Sequence, residues 1–137
     1  MAKLFNLKIM TPEREFFDDQ VEAVTVTAPD GKMTILAGHA AIITPLCVGS
    51  VSIKVNGEWK DAFNSEGFME VSGGGVVIFV QACEWPHEID ASRAEEAKRR
   101  ADEKLRQKQS INEYKQTKMA LARAMARLRI SKTNTGR

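Results

Sequence analysis

The segment from Pro86 to Asp90 divides this chain into two stretches of different physics. Pro86 biases Trp85 away from helical backbone. Asp90 suits an N-cap, because its carboxylate can accept from the exposed amides of the next turn. From Ala91 onward almost every residue is a good helix former. Upstream, turn residues cut the chain into short apolar–polar runs. The sequence predicts a β domain over 1–85 and a two-helix domain over 86–137.

Strands are expected over 3–10, 21–27, 33–36, 48–55, 58–63, 68–71 and 76–83, where apolar or β-branched residues alternate with polar ones. The punctuation has a mechanism. Pro29-Asp30-Gly31-Lys32 combines a preset φ, a side-chain acceptor and a residue that tolerates positive φ. Asn56-Gly57 is the strongest short hairpin signal. About eight to ten short strands in roughly 84 residues imply a β-sandwich or flattened antiparallel β-barrel. Gly73-Gly74-Gly75 precedes no helix and carries no Gly-Lys-Ser/Thr, so it reads as a tight turn rather than a phosphate loop.

Helices are expected over 91–107 and 111–130, joined by a short turn, which makes an antiparallel α-helical hairpin. Ala94, Ala97, Ala101 and Leu105 form a narrow stripe on the first. On the second, Ile111, Tyr114, Leu121, Met125 and Leu128 are expected to share a face, interrupted by Lys118. Ser110 and Glu113 fit a capping box. Alanines allow close approach but give a thin core, so the hairpin should detach readily.

Charge separates the halves. Residues 1–89 hold 6 Lys/Arg and 12 Asp/Glu, net −6, whereas residues 90–137 hold 14 and 6, net +8. The basic half should meet something anionic. Arg93 and Arg100, seven apart, share one face of the first helix, and Arg123 and Arg127 share one of the second. Folded together, these guanidiniums suit phosphate oxygens, with the carboxylates of Glu84 and Asp90 near the open end. Nucleic acid is a poor alternative, since residues 90–137 offer only Tyr114 for stacking. Lipid insertion is disfavoured as well, because the apolar face of the second helix lacks a Trp or Phe anchor.

No Ser/His/Asp set, carboxylate pair or Cys/His nucleophile can be assembled; His39 lies between glycine and alanine without a base partner. Cys47 and Cys83 read as buried free thiols without metal-ligand spacing, which suggests a reducing, cytoplasmic setting. No run approaches the roughly 18 apolar residues of a membrane span, and the first residues show no secretory pattern.

The chain resembles the epsilon subunits of bacterial F-type ATP synthases over essentially its whole length. The likeness rests on Thr11-Pro12-Glu13-Arg14-Glu15, Val21-Glu22-Ala23-Val24-Thr25-Val26, Ala37-Gly38-His39-Ala40 and 65–74 (SEGFMEVSGG). It is sharper in Ile89-Asp90-Ala91-Ser92-Arg93-Ala94 and in 120–128 (ALARAMARL), which match ATP-binding members. Carried over position by position, it implies ATP as a regulatory ligand held by Glu84, Ile89, Asp90, Arg93, Ala94, Arg100, Arg123 and Arg127, with the carboxylates near adenine and the arginines around the phosphates. It implies a non-catalytic stalk subunit, peripheral on the cytoplasmic face of the bacterial plasma membrane. Its partners would be the gamma subunit and the c-subunit ring, contacted near Lys32 and His39. Lys32 stands where the family often carries an acidic residue, and Ala41 where it often carries proline. When the hairpin extends, Lys115, Lys118, Arg123, Arg127 and Arg129 would meet the catalytic beta and alpha subunits and brake ATP hydrolysis.

Overall fold

The computed structural model describes residues 3–132, which fall into two compact units, Met1–Trp85 and Pro86–Arg137. The first unit contains ten strands: β1 (Phe5–Met10), β2 (Glu15–Val21), β3 (Ala23–Ala28), β4 (Gly31–Leu36), β5 (Ile42–Leu46), β6 (Gly49–Val55), β7 (Glu58–Asn64), β8 (Gly67–Ser72), β9 (Gly75–Val80) and β10 (Cys83–Glu84). They form two five-stranded sheets, ordered β2-β1-β9-β8-β5 and β10-β7-β6-β3-β4. The unit is thus a sandwich of two open sheets rather than a closed barrel. It is not wholly antiparallel either, since β1 and β9 pair in parallel, Leu7 against Val76 through Met10 against Phe79.

Alternation builds the core. Leu7 and Ile9, Val24 and Val26, Val51 and Ile53, Met69 and Val71, and Val76 and Ile78 all point inward and are buried. The Asn56-Gly57 hairpin forms as expected, with both residues at positive φ (53° and 77°), as a type I′ turn demands. The glycine run is the β8–β9 turn, where Ser72 pairs with Gly75. Gly67 answers a different need: a Cβ there would collide with the Phe79 carbonyl oxygen on β9.

Arg14 closes the sandwich at its last strand. Its Nη2 donates to the Cys83 carbonyl at 3.1 Å, and the guanidinium lies 5.2 Å from the Phe16 ring centroid. Phe16 in turn packs on Trp85 at 4.6 Å. One expectation for the cysteines changes: Cys83 is buried, but Cys47 is only half-buried, because it sits in the connection between β5 and β6. Both are free thiols.

The second unit holds a 3₁₀ turn (Pro86–Glu88) and two helices, α1 (Ala91–Leu105) and α2 (Ile111–Lys132), packed as a hairpin. Ala94 and Ala101 are buried on α1, with Ala97 and Leu105 half-buried between and beyond them, as the stripe requires. The α2 face differs from the expected one. Thr117 and Ala124 are buried and Leu121 and Leu128 half-buried, recurring at 4, 3 and 4. Ile111, Tyr114 and Met125 are exposed. Helical phase accounts for two of them: Ile111 is rotated about 120° from Thr117 and Met125 about 100° from Ala124, which turns both off the stripe.

Candidate functional site

Seven of the eight residues expected to hold a nucleotide lie in the helical unit. Glu84 belongs to the other unit, half-buried on β10 opposite Phe63.

Asp90 starts α1. Its Oδ1 accepts from the Arg93 amide at 3.1 Å, and its carbonyl accepts from the Ala94 amide at the same distance. The carboxylate therefore already has a capping role, and a ligand would share it. Ile89 is half-buried, its amide donating to the Pro86 carbonyl at 3.3 Å across the 3₁₀ turn. That turn packs against α2, so the chain entering α1 is held beside the second helix. Ala94 is buried, and the lack of a longer side chain there lets α2 approach.

The arginines follow from helical phase. Arg93 and Arg100 each precede a buried alanine, Ala94 and Ala101, so both project about 100° to the same side of the α1 stripe. Arg123 precedes buried Ala124, and Arg127 lies one turn further on; both fall on the same rotational side of the α2 stripe. Facing antiparallel helices place equal rotational offsets on the same side of their seam. All four arginines therefore flank one side of the hairpin.

Height separates one of them from the rest. Arg93 lies twelve residues before the end of α1 and Arg123 twelve after the start of α2, so an antiparallel hairpin sets them at about the same height. Arg93 then stands level with Arg123 and Arg127, while Arg100 sits about 10 Å nearer the loop. Arg100 also has a carboxylate of its own: Glu96 Oε1 lies 3.2 Å from Nη1, one turn earlier on the same helix. Arg93 and Arg100 are exposed; Arg123 and Arg127 are half-buried and already engaged in the folded chain.

The remaining basic residues of α2, Lys115, Lys118, Arg129 and Lys132, are exposed. The Lys118 ammonium lies 5.5 Å from the Tyr114 ring centroid. In the sandwich, Lys32 and His39 are both exposed, but β4 separates them. Lys32 opens that edge strand and His39 lies beyond its far end, more than about 13 Å of strand rise apart. A partner touching both would run along the β4 edge.

The sequence reading passed over a cluster on the outer face of the β5–β8–β9–β1 layer. Pro45, Phe68, Phe79 and Met10 are successive cross-strand neighbours. The Phe68 and Phe79 rings stack at 5.1 Å and stay 46% and 39% exposed, with Ile43 nearby on β5 at 70%. The signal was available, since inward Met69 and Val71 on β8, and inward Ile78 and Val80 on β9, force both phenylalanines outward. Among the described residues no cluster of His, Cys, Asp and Glu could hold a metal ion, and no helix is long and apolar enough to cross a membrane.

Comparison with known proteins fits this architecture unit by unit. The family model for the ATP synthase delta/epsilon chain β-sandwich domain matches residues 4–86, and that for the long α-helix domain of the same chain matches residues 87–132. The chain is 48% identical over 132 residues to the ATP synthase epsilon chain of Caldanaerobacter subterraneus subsp. tengcongensis, covering 96% of each. It is 44% identical, over the full length of both, to the ATP synthase epsilon chain of Ruminiclostridium cellulolyticum. In fold it is similar to a chain in the mitochondrial ATP synthase of Euglena gracilis, with a TM-score of 0.78, 23% identity, and coverage of 92% of this chain and 81% of that one. A chain in the central stalk and c-ring of the Tetrahymena thermophila enzyme gives 0.70 at 15% identity, covering 95% and 98%. Two matched domains in the right order, with near-complete coverage of epsilon chains, establish that the chain belongs to the ATP synthase delta/epsilon family, as an epsilon-type subunit of the complex rather than a catalyst in its own right.

Proposed function

We propose that this chain is a central-stalk rotor subunit whose helical unit brakes ATP hydrolysis, and that ATP holds the brake down by binding the folded hairpin. The observation that carries this reading is the placement of Arg93 with Arg123 and Arg127 at one level and on one flank of the seam. They come from different helices, so they can serve one polyphosphate only while the hairpin is closed. Guanidinium forks suit phosphate oxygens. Asp90, at the same end, can accept from an exocyclic amine. Arg100, drawn toward Glu96, would serve as the outermost contact.

A ligand that binds one of two states shifts the population by RT ln(1 + [L]/Kd), about 2.7 kcal/mol at a hundredfold excess over Kd. High ATP would keep the hairpin closed, and falling ATP would release it. Released, α2 presents five or more basic groups against the single acid Glu113 and can dock on an acidic face of the catalytic alpha and beta subunits. The sandwich would bind the gamma subunit through the exposed Phe68–Phe79 face, an apolar cluster of the kind that marks protein contacts. The β4 edge with Lys32 and His39 would meet the c-subunit ring. The complex so formed would lie on the cytoplasmic face of the bacterial plasma membrane.

Calorimetric titration of ATP into the full chain, repeated with Arg123→Ala/Arg127→Ala, tests the nucleotide reading. Saturation near one ATP per chain, lost in the double variant, is expected. No heat at millimolar ATP, or undiminished binding by the double variant, would overturn it.

A further inference from the structure

The linker between α1 and α2 contains a side chain that touches both helices. Gln109 Nε2 donates to the carbonyl of Lys104, in the last turn of α1, at 3.1 Å. Its Oε1 accepts from the Thr117 hydroxyl, two turns into α2, at 3.3 Å. Gln109 is half-buried and Thr117 only 6% exposed. We propose that Gln109 is a clasp that sets how readily the hairpin opens. This rests on the reading that the hairpin opens at all.

The argument is one of proportion. The buried apolar side chains of the seam are Ala94, Ala101 and Ala124, and Leu105, Leu121 and Leu128 are only half-buried beside them, so its closing energy is modest and the Gln109 contacts weigh against it. The two Gln109 contacts exist together only when the end of α1 and the start of α2 are held at the closed angle. Thr117 has one proton for two acceptors, Gln109 Oε1 at 3.3 Å and the Glu113 carbonyl of its own helix at 2.8 Å, so opening hands that proton to Glu113 and does not orphan the hydroxyl. The Lys104 carbonyl likewise retains the Gln107 amide at 3.1 Å. Opening therefore leaves no buried group unsatisfied. The clasp is a latch of modest strength, suited to a segment that must close and open reversibly. The Arg100–Glu96 pair lies within α1 and contributes nothing across the seam.

The test uses the full chain carrying Ala101→Cys, which puts a thiol at a seam position that is 5% exposed when closed. Iodoacetamide labelling is followed without nucleotide and resolved by peptide mass, with native buried Cys83 as the internal reference. Gln109→Ala should speed labelling at position 101 about three- to tenfold, the range expected for net hydrogen bonds of this kind. Thr117→Val should also speed it, and the double variant should be no faster than the faster single, because both remove one shared contact. A Gln109→Ala rate within twofold of the parent, or fully multiplicative effects, would overturn the clasp. If Gln109→Ala loses its helical circular dichroism, Gln109→Glu keeps the acceptor for Thr117 and gives up only the donor; a parent-like rate there would equally overturn it. A position-101 thiol that labels no faster than Cys83 in every variant would refute opening itself. Adding ATP to the parent addresses the nucleotide reading separately: slower labelling supports it, and an unchanged rate counts against it without touching the clasp.

Discussion

The Asp90 carboxylate accepts from the Arg93 amide at 3.1 Å, so one residue of the proposed nucleotide site is also the residue that starts α1. Stability and ligand binding are therefore linked at this position. Asp90→Ala should cost about 1 kcal/mol of helix stability, whereas Asp90→Asn keeps an acceptor and should cost only a few tenths. Thermal melts followed at 222 nm would separate the two. A fall in ATP affinity in the Asn variant then reports the lost charge, because the cap is retained.

Arg100 and Glu96 make an ion pair that is 67% and 59% exposed, and exposed pairs contribute little to stability. Glu96→Ala should leave the melting temperature nearly unchanged while freeing the guanidinium. If Arg100 serves the phosphates, ATP should bind about twofold or more tightly by calorimetry. Arg100→Ala should weaken binding less than Arg123→Ala, since Arg100 sits about 10 Å nearer the loop.

The Phe68–Phe79 pair is stacked but solvent-facing. Phe68→Ser with Phe79→Ser should leave the sandwich folded, with a melting temperature lowered by only a few degrees. Co-purification with the gamma subunit should be lost. Retained assembly would move the stalk contact to another face.

Gly67 lies where β8 and β9 come too close for any side chain. A Cβ would meet the Phe79 carbonyl and Val80 Cα, which are backbone atoms that cannot turn away. Gly67→Ala should destabilise the sandwich by about 1–3 kcal/mol, the usual range for overpacking. Denaturant unfolding followed by the fluorescence of Trp59 and Trp85 would measure it.

The division at Pro86, the turn at Asn56-Gly57, the cap at Asp90 and the alanine stripe of α1 were all legible in the sequence, because each depends on a few neighbouring residues and on backbone preference. The Ser110–Glu113 box was half legible. The Ser110 hydroxyl does accept from the Glu113 amide at 3.2 Å, but the Glu113 carboxylate meets that hydroxyl rather than the Ser110 amide. β2 was missed because Glu15–Val21 carries three charges and buries only Phe16 and Val21, so it lacks the alternation of a half-buried strand.

Only the tertiary structure decided the rest. No local pattern distinguishes a parallel neighbour from an antiparallel one, so the β1–β9 pairing waited for long-range contacts to form. The face that α2 turns to α1 was decided by packing, which leaves Ile111 and Tyr114 exposed and buries Thr117. For the arginines, the sequence determined which share a helix face. The register of the two helices decided that Arg93 stands level with Arg123 and Arg127 while Arg100 does not. Spacing along one helix is set by its 3.6-residue repeat; spacing between helices is set by which small side chains pack in their seam.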